Sequence, residues 1–201
     1  MRHSLSLAIL SLIGLLSTPL AAAEQVLTLD PTDTQIDFDL GATGHDVHGT
    51  FALRSGEIRF DPVSGSASGR LVVDASSAAT GNGKRDRTMH EKVLESEEFP
   101  AFVFVPQRID GQLATSGKSR FTVHGTLEIH GEHHPLDMVT TANFEGPRMH
   151  AEATFSIPFV AWGMHDPSFL FLRVEKEVQV SVSFDGELSQ MVQQVPAGFS
   201  R

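Results

Sequence analysis

The residues best suited to chemistry in this sequence are its histidines, which concentrate at two turns. His130, His133 and His134 lie within five residues of one another, and His45 and His48 flank an earlier turn. Neutral imidazoles that converge from two loops are suitable ligands for Zn²⁺ or Cu²⁺. His133 and His134, however, would point to opposite faces of an extended segment. We therefore predict no metal site, and we keep metal binding by the turn from His130 to His134 as an alternative.

Enzyme motifs are present only as fragments. His90 and Glu91 begin the zinc-protease pattern HExxH, but Leu94 occupies the position of the second histidine. Residues 81–83 begin a dinucleotide-binding pattern that is broken at Asp86. The nucleophile elbow G-x-S-x-G does not occur in the sequence. We therefore predict no catalytic residues and no cofactor, and we do not expect an enzyme.

Charge and composition exclude several classes of partner. The 201-residue chain carries a formal net charge of −10, which argues against nucleic acid and against charge-driven binding to anionic lipid headgroups. The sequence has no cysteine, so disulfides, thiolate metal sites and a thiol nucleophile are excluded.

The N-terminus has the pattern of a secretory signal peptide. A charged start precedes an uncharged apolar run over residues 5–16, and Ala21 and Ala23 lie just before a predicted cleavage site. The run is shorter than the roughly 20 residues that span a bilayer, so no stable membrane insertion is expected. We predict that residues 1–23 are a signal peptide and that the protein is periplasmic or secreted.

The elements that must position any functional residue are strands. Apolar and polar residues alternate over residues 34–40 and, most strictly, over residues 121–130. Similar segments follow one another at short spacing and predict eight or nine antiparallel strands in one domain, residues 24–188, with residues 189–201 as a C-terminal tail. Such a chain can form a sandwich or a closed barrel, and the periodicity alone does not choose between them.

One stretch, residues 80–104, interrupts the alternation. Within it, residues 87–94 could form two helical turns, with Asp86 as the N-cap. Pro100 ends the stretch, because the residue before a proline is disfavoured in the helical region. A helix inserted between strands either covers one end of a barrel or is an ordinary crossover, and both alternatives are kept.

Four motifs in this order resemble the YceI-like family of exported lipocalin-like proteins. They are residues 47–51 (VHGTF), Thr80-Gly81-Asn82 followed by Arg85-Asp86, Glu98-Phe99-Pro100, and residues 123–131 (VHGTLEIHG). The resemblance extends from Leu27 to Leu188. It implies an all-β fold, a single antiparallel lipocalin-like β-barrel of about eight strands with a short helix inserted between strands. It further implies that an apolar lumen binds a polyisoprenoid chain, such as that of an isoprenoid quinone.

Large apolar residues on alternating positions are the predicted binding surface. The predicted ligand-binding residues are Phe38, Phe51, Phe60, Met89, Phe102, Phe104, Phe121, Phe155, Phe159 and Trp162. Small residues at inward-type positions are expected to leave volume inside the barrel, namely Gly49, Gly69, Gly125, Ala151 and Ala153. Without that volume the same aromatic residues would fill a solid barrel, which is the alternative.

Two further segments have two interpretations each. Arg85 and Asp86 are expected to pin the helix over the barrel end, with contact to a ligand as the alternative role of Arg85. The aromatic segment over residues 158–171 either lines the mouth of the lumen through Trp162 or packs as a second small core.

The predicted function is therefore that of an exported carrier for a polyisoprenoid, isoprenoid quinone-like or other long-chain lipid. The alternatives are an exported metal-binding protein that uses the histidine turn, and a lipid-modifying enzyme on the same barrel with His90 or His165 as its acid or base. The sequence leaves open whether two protomers pair as a homodimer.

Overall fold

The alternating segments of the sequence fold into eight antiparallel strands. The computed structural model describes residues 24–114, 116–168 and 173–190. Within these ranges the strands are β1 (Gln25–Leu40), β2 (Val47–Phe60), β3 (Ala67–Ala79), β4 (Ala101–Gly111), β5 (Gly117–Ile129), β6 (Glu132–Glu145), β7 (Arg148–Ile157) and β8 (Val178–Gln190). Each strand pairs with its neighbour in chain order, and β1 also pairs with β8, so the sheet is a closed barrel. The predicted fold is confirmed.

Three predicted regions lie wholly or partly outside the described residues. They are the signal peptide, residues 1–23, most of the predicted tail, residues 191–201, and the aromatic residues Phe169 and Phe171.

The two-residue alternation of the sequence places apolar residues inside the barrel and polar residues outside it. Along β5, alternate residues from Phe121 through Leu127 to Ile129 are buried, and the residues between them are partly exposed. Successive strand residues point to opposite faces, so one strict alternation places every second side chain in the lumen. This strand is joined to β6 through an unbroken register that runs from Gly117 to Ile129.

Two strand ladders are short at one end of the barrel, the end at which β1 finishes, which we call the upper end. The β3–β4 ladder joins only residues 71–74 to residues 101–104. The β6–β7 ladder begins at Val139 and Thr154, although β6 itself begins at Glu132. The upper end therefore has two seams, one between β3 and β4 and one between β6 and β7.

The segment that joins β3 to β4 contains the predicted helix, but the helix begins earlier than expected. Helix α1 (Gly83–Thr88) continues into a π-helical turn (Met89–Val93). Its N-cap is Asn82, whose side-chain oxygen accepts hydrogen bonds from the backbone N–H groups of Lys84 and Arg85. The prediction of Asp86 as the N-cap was wrong, because the Asp86 carboxylate is bound to Thr80. In the described ranges, neither helical segment has the length and apolar character needed to cross a bilayer.

The small residues that were expected to leave space in the lumen mostly do not. The ring of Phe38 lies over Gly49, and the ring of Phe104 lies over Gly125, so neighbouring aromatic residues occupy the volume that each missing side chain leaves. Gly69 has a φ of +122° and closely approaches the backbone of β2, which explains the glycine at that position.

A test of this packing is the substitution Gly125→Ala. A Cβ at Gly125 would lie 2.4 Å from Phe104 Cζ and 2.5 Å from the Val105 carbonyl oxygen, so ring and backbone must both shift. We expect a loss of about 1–3 kcal/mol in the free energy of unfolding, the usual cost of overpacking, measured by chemical denaturation. The control is Gly83→Ala, where a Cβ would meet nothing within 4 Å. Equal stability of the two variants would contradict the close packing at Gly125.

Candidate functional site

The barrel encloses two adjoining cavities. The upper cavity has a volume of about 560 Å³ and the lower cavity of about 120 Å³. The residues that line both cavities come from six different strands and form a waist between them; they are Ile36, Val73, Phe102, Leu127, Phe155 and Val182. The upper volume lies within the range of about 300–1,000 Å³ that is usual for ligand sites. The solid barrel that the sequence left as an alternative is therefore wrong.

The lower cavity offers no free polar group from its described lining. Its polar lining residues are Thr34 and Thr140. The hydroxyl of Thr34 donates to the carbonyl oxygen of Asp30 at 2.8 Å, and that of Thr140 donates to the carbonyl oxygen of Met138 at 3.3 Å. Because these hydroxyl protons are bound to the backbone, the lower cavity suits a hydrocarbon chain.

The upper cavity combines apolar walls with a polar mouth. Its polar lining residues among those described are Thr43, His45, Thr80, Asn82, Lys84, Arg85, Thr88 and Arg173. Lys84 and Arg173 are exposed, which places this part of the lining where the cavity meets solvent. A molecule with an apolar tail and a polar end therefore matches the distribution of polarity along the lumen.

Arg85 and Asp86 hold the segment before α1 at this mouth. Nε of Arg85 donates to the hydroxyl oxygen of Thr80 at 2.7 Å, and Nη2 donates to the Thr80 carbonyl oxygen at 3.1 Å. The Asp86 carboxylate accepts from the backbone N–H of Thr80 at 3.0 Å and from its hydroxyl. Arg85 also lines the upper cavity. Arg85 and Asp86 therefore hold the start of the helical segment through Thr80, a neighbour in sequence. Arg85 also contributes to the wall of the lumen.

His90 is a structural residue of the helical segment. Its Nε2 lies 2.9 Å from the carbonyl oxygen of Ala78, and its Nδ1 lies 3.0 Å from the hydroxyl oxygen of Ser96. A carbonyl oxygen only accepts, so Nε2 donates to Ala78, while Nδ1 pairs with the Ser96 hydroxyl. The bond to Ala78 ties the π-helical turn to β3, and the bond to Ser96 holds the segment that follows the turn. Together they engage both nitrogens that an acid–base role would need.

The loop after β7 covers the second seam of the upper end. Phe159 and Met164 are buried and line the upper cavity. Trp162 lines neither cavity in the described part of the chain and instead stacks on His134 of β6, with ring centroids 4.2 Å apart and planes inclined by 3°. The stack joins the loop to the part of β6 that β7 does not pair.

The continuation of this loop is held by a short acidic turn. Hydrogen bonds from the Ser168 side chain and backbone N–H lower the pKa of Asp166 below its ordinary value; burial opposes this shift, and nearby Lys176 adds to it. Asp166 is therefore ionised at neutral pH. It fixes the turn beside Pro167, which lines the upper cavity.

The histidines of the predicted metal turn have separate environments. His130 Nε2 lies 2.7 Å from a carboxylate oxygen of Glu95, His133 is exposed, and His134 stacks on Trp162. No group of three or more potential metal ligands occurs among the residues that the structure describes. The turn therefore does not bring its three imidazoles to one centre.

Nine of the ten predicted ligand-binding residues line the lumen. Phe38, Phe51, Met89 and Phe159 line the upper cavity, Phe60, Phe104 and Phe121 line the lower cavity, Phe102 and Phe155 line both, and Trp162 lines neither. The predicted site left out the aliphatic waist residues, although the alternation placed them in the same rows as the aromatic residues. It also missed Lys84 and Arg173 at the mouth, for which no local signal exists.

The pinning role of Arg85 can be tested by its truncation. Arg85→Ala removes two hydrogen bonds from a charged donor to Thr80, and we expect a loss of about 1–3 kcal/mol in the free energy of unfolding, measured by thermal or chemical denaturation. Arg87→Ala is the matched control, because Arg87 is an exposed residue of the same helix and lines neither cavity. An Arg85→Ala variant as stable as this control would contradict the assignment.

Comparisons with known proteins agree with this architecture. The structure resembles a polyisoprenoid binding domain from Saccharophagus degradans, with a TM-score of 0.65 and 19% identity over 81% of this chain and 98% of that one. It also resembles BcnA from Burkholderia cenocepacia, with a TM-score of 0.62 and 17% identity over 78% and 98% of the two chains. The YCEI protein of Campylobacter jejuni has a TM-score of 0.57 and 14% identity over 74% and 87%.

Sequence comparison decides the family. No curated protein matches the chain. The model of the YceI-like domain, however, matches residues 27–186, which is most of the chain. The match includes strands β2 to β7, most of β1 and β8, the helix and the described lining of both cavities. The protein therefore belongs to the YceI-like domain family.

Proposed function

We propose that this protein is an exported carrier that holds a polyisoprenoid, isoprenoid quinone-like or other long-chain lipid inside its barrel. The observation that carries the proposal is the pair of adjoining cavities, whose waist is formed by six apolar residues. Export is proposed from the apolar run and the small residues near positions 21–23 of the sequence.

The energetics of such a lumen favour a long chain over a small polar molecule. Each methylene group removed from water contributes roughly 0.8 kcal/mol, so a chain of moderate length can bind firmly without many hydrogen bonds. The described lining of the lower cavity presents two hydroxyl groups, and both are bound to backbone carbonyl oxygens. Burial of the chain can therefore supply the binding free energy in the lower cavity without hydrogen bonds from these groups.

A protein of similar structure supports the same ligand class. The domain from Saccharophagus degradans, which shares the fold, is described as polyisoprenoid binding. A long chain can pass from one cavity to the other, because the two cavities share lining residues at the waist. The described polar lining is concentrated at the upper end. We therefore expect the apolar tail to enter first and the polar end of the lipid to stay at the mouth.

The proposal is tested by native mass spectrometry of the protein purified without detergent from the exported fraction of the cells. We expect one lipid per barrel, identified after extraction into organic solvent. A protein that carries one metal ion and no lipid would favour the histidine turn instead. A protein with neither ligand, and with no affinity for added isoprenoid lipid, would overturn the proposal.

The waist supplies a second test. Val182→Phe places a ring between the cavities, so chains long enough to enter the lower cavity should lose affinity while shorter chains still bind above it. Loss of two buried methylene groups, at roughly 0.8 kcal/mol each, already corresponds to a factor of about ten. The measurement is the dissociation constant for isoprenoid alcohols of increasing length.

The matched control for this test is Ser181→Phe, which adds the same ring to the adjacent, exposed position of β8. It should bind chains of every length as the unmodified protein does. If both variants lose long-chain affinity equally, or if neither does, the tail does not pass the waist.

A further inference from the structure

The mouth of the upper cavity is lined by cations. Lys84 and Arg85 at the start of α1, and Arg173 before β8, all line the upper cavity. We call these three residues the cationic rim. The described residues that line this cavity include no aspartate or glutamate. The rim is unusual in this chain, whose formal net charge is −10.

Among the described residues, no carboxylate forms an ion pair with Lys84, Arg85 or Arg173. In the described ranges, the ion pairs formed by lysine and arginine involve other residues: Arg54, Arg59, Arg108 and Lys176. Arg85 uses Nε and Nη2 to bind Thr80, and its Nη1 has no partner among the described residues.

Two acidic residues near the mouth are directed elsewhere. The carboxylate of Asp86 binds Thr80, and the carboxylate of Glu175 lies against the backbone of Gly41. Neither residue belongs to the described lining of the cavity. Neither carboxylate is therefore in position to form a direct ion pair across the mouth.

The backbone beneath the rim is fixed by hydrogen bonds. The N–H groups of Lys84 and Arg85 both donate to Oδ1 of Asn82 at 3.2 Å. The N–H of Arg173 donates to the hydroxyl of Thr43 at 3.0 Å, and its carbonyl oxygen accepts from the N–H of Thr43 at 2.8 Å. The side chains thus start from positions that are set before a ligand arrives.

Like charges around one opening repel each other, and an anion between them removes that repulsion. Apolar walls strengthen the effect, because a cleft of one sign with low-dielectric walls focuses the electrostatic field. Arginine and lysine form charge-assisted hydrogen bonds with carboxylate and phosphate oxygens, which are stronger than those with neutral oxygens. The rim is therefore suited to an anionic group at the end of an apolar chain.

We propose that the ligand is a single-chain amphiphile with an anionic end, a phosphate or a carboxylate, which Lys84, Arg85 and Arg173 bind while the tail lies in the lumen. This inference rests on the proposed lipid-binding function and narrows it. A neutral quinone or alcohol with the same tail lacks the group that the rim binds. The acidic surface of the whole molecule does not prevent this, because the rim reverses the sign of charge locally.

The test compares three probes by calorimetric titration of the lipid-free protein: geranylgeranyl phosphate, geranylgeraniol and inorganic phosphate. We expect the phosphate lipid to bind at least roughly tenfold more tightly than the alcohol, since their tails are identical. The preference should shrink as salt is added, because the rim is exposed to solvent. The preference is the ratio of the dissociation constants of the alcohol and the phosphate lipid. In the double variant K84Q/R173Q this ratio should fall toward one, because binding of the phosphate lipid is weakened more than binding of the alcohol.

Arg87→Gln is the matched control. It removes one positive charge from an exposed position of the same helix that lines neither cavity, and it should retain the preference of the unmodified protein. Arg85 is left unchanged in these variants because it also holds Thr80.

The outcomes separate this inference from the proposed function. If the two lipids bind equally, or if K84Q/R173Q keeps the preference for the phosphate lipid, the proposal of an anionic end is wrong. The proposed lipid-carrier function is unaffected by either result. If Arg87→Gln also loses the preference for the phosphate lipid, the preference depends on net charge, and the proposed role of the cationic rim is wrong. Inorganic phosphate that binds as tightly as the phosphate lipid would make the occupant a free anion. If neither lipid binds, the proposed function itself fails.

Discussion

The binding site depends on the ladder that joins β1 to β8. These strands are far apart in sequence, yet their pairing satisfies backbone groups that would otherwise form two open edges. Closure also turns one face of every strand inward, so the apolar rows on eight strands meet around a single axis. The residues present do not fill that interior, and the adjoining cavities result from closure rather than from any one strand.

The sheet has two seams at its upper end, and the elements beside them are held by one hydrogen bond and one ring stack. His90 ties the helical segment to β3 beside the first seam, and the stack of Trp162 on His134 joins the loop after β7 to β6 beside the second. Nε2 of His134 is buried and has no hydrogen-bond partner among the residues that the structure describes, since the carboxylate of Glu132 at 3.7 Å is too far to accept one. Apolar contact between the two rings must offset that desolvation.

The charge at the mouth of the upper cavity is opposite in sign to the net charge of the chain. The chain is acidic overall, whereas the described lining of the upper cavity holds Lys84, Arg85 and Arg173 and no carboxylate. Acidic side chains such as Asp86 are present nearby but are bound to the backbone. Exposed charges interact over about 10 Å at moderate salt, so the local arrangement at the mouth outweighs the distant surface charges.

The sequence by itself determined the strands, the inserted helix and most of the lumen-facing aromatic residues, because a two-residue period acts between near neighbours. Only the tertiary structure decided that the rings of Phe38 and Phe104 occupy the space beside glycines, and that Trp162 packs outside the cavities. The composition of the mouth also could not be predicted from the sequence. Arg173 is bound to Thr43, 130 positions away, and no local sequence pattern indicates a contact between such distant segments.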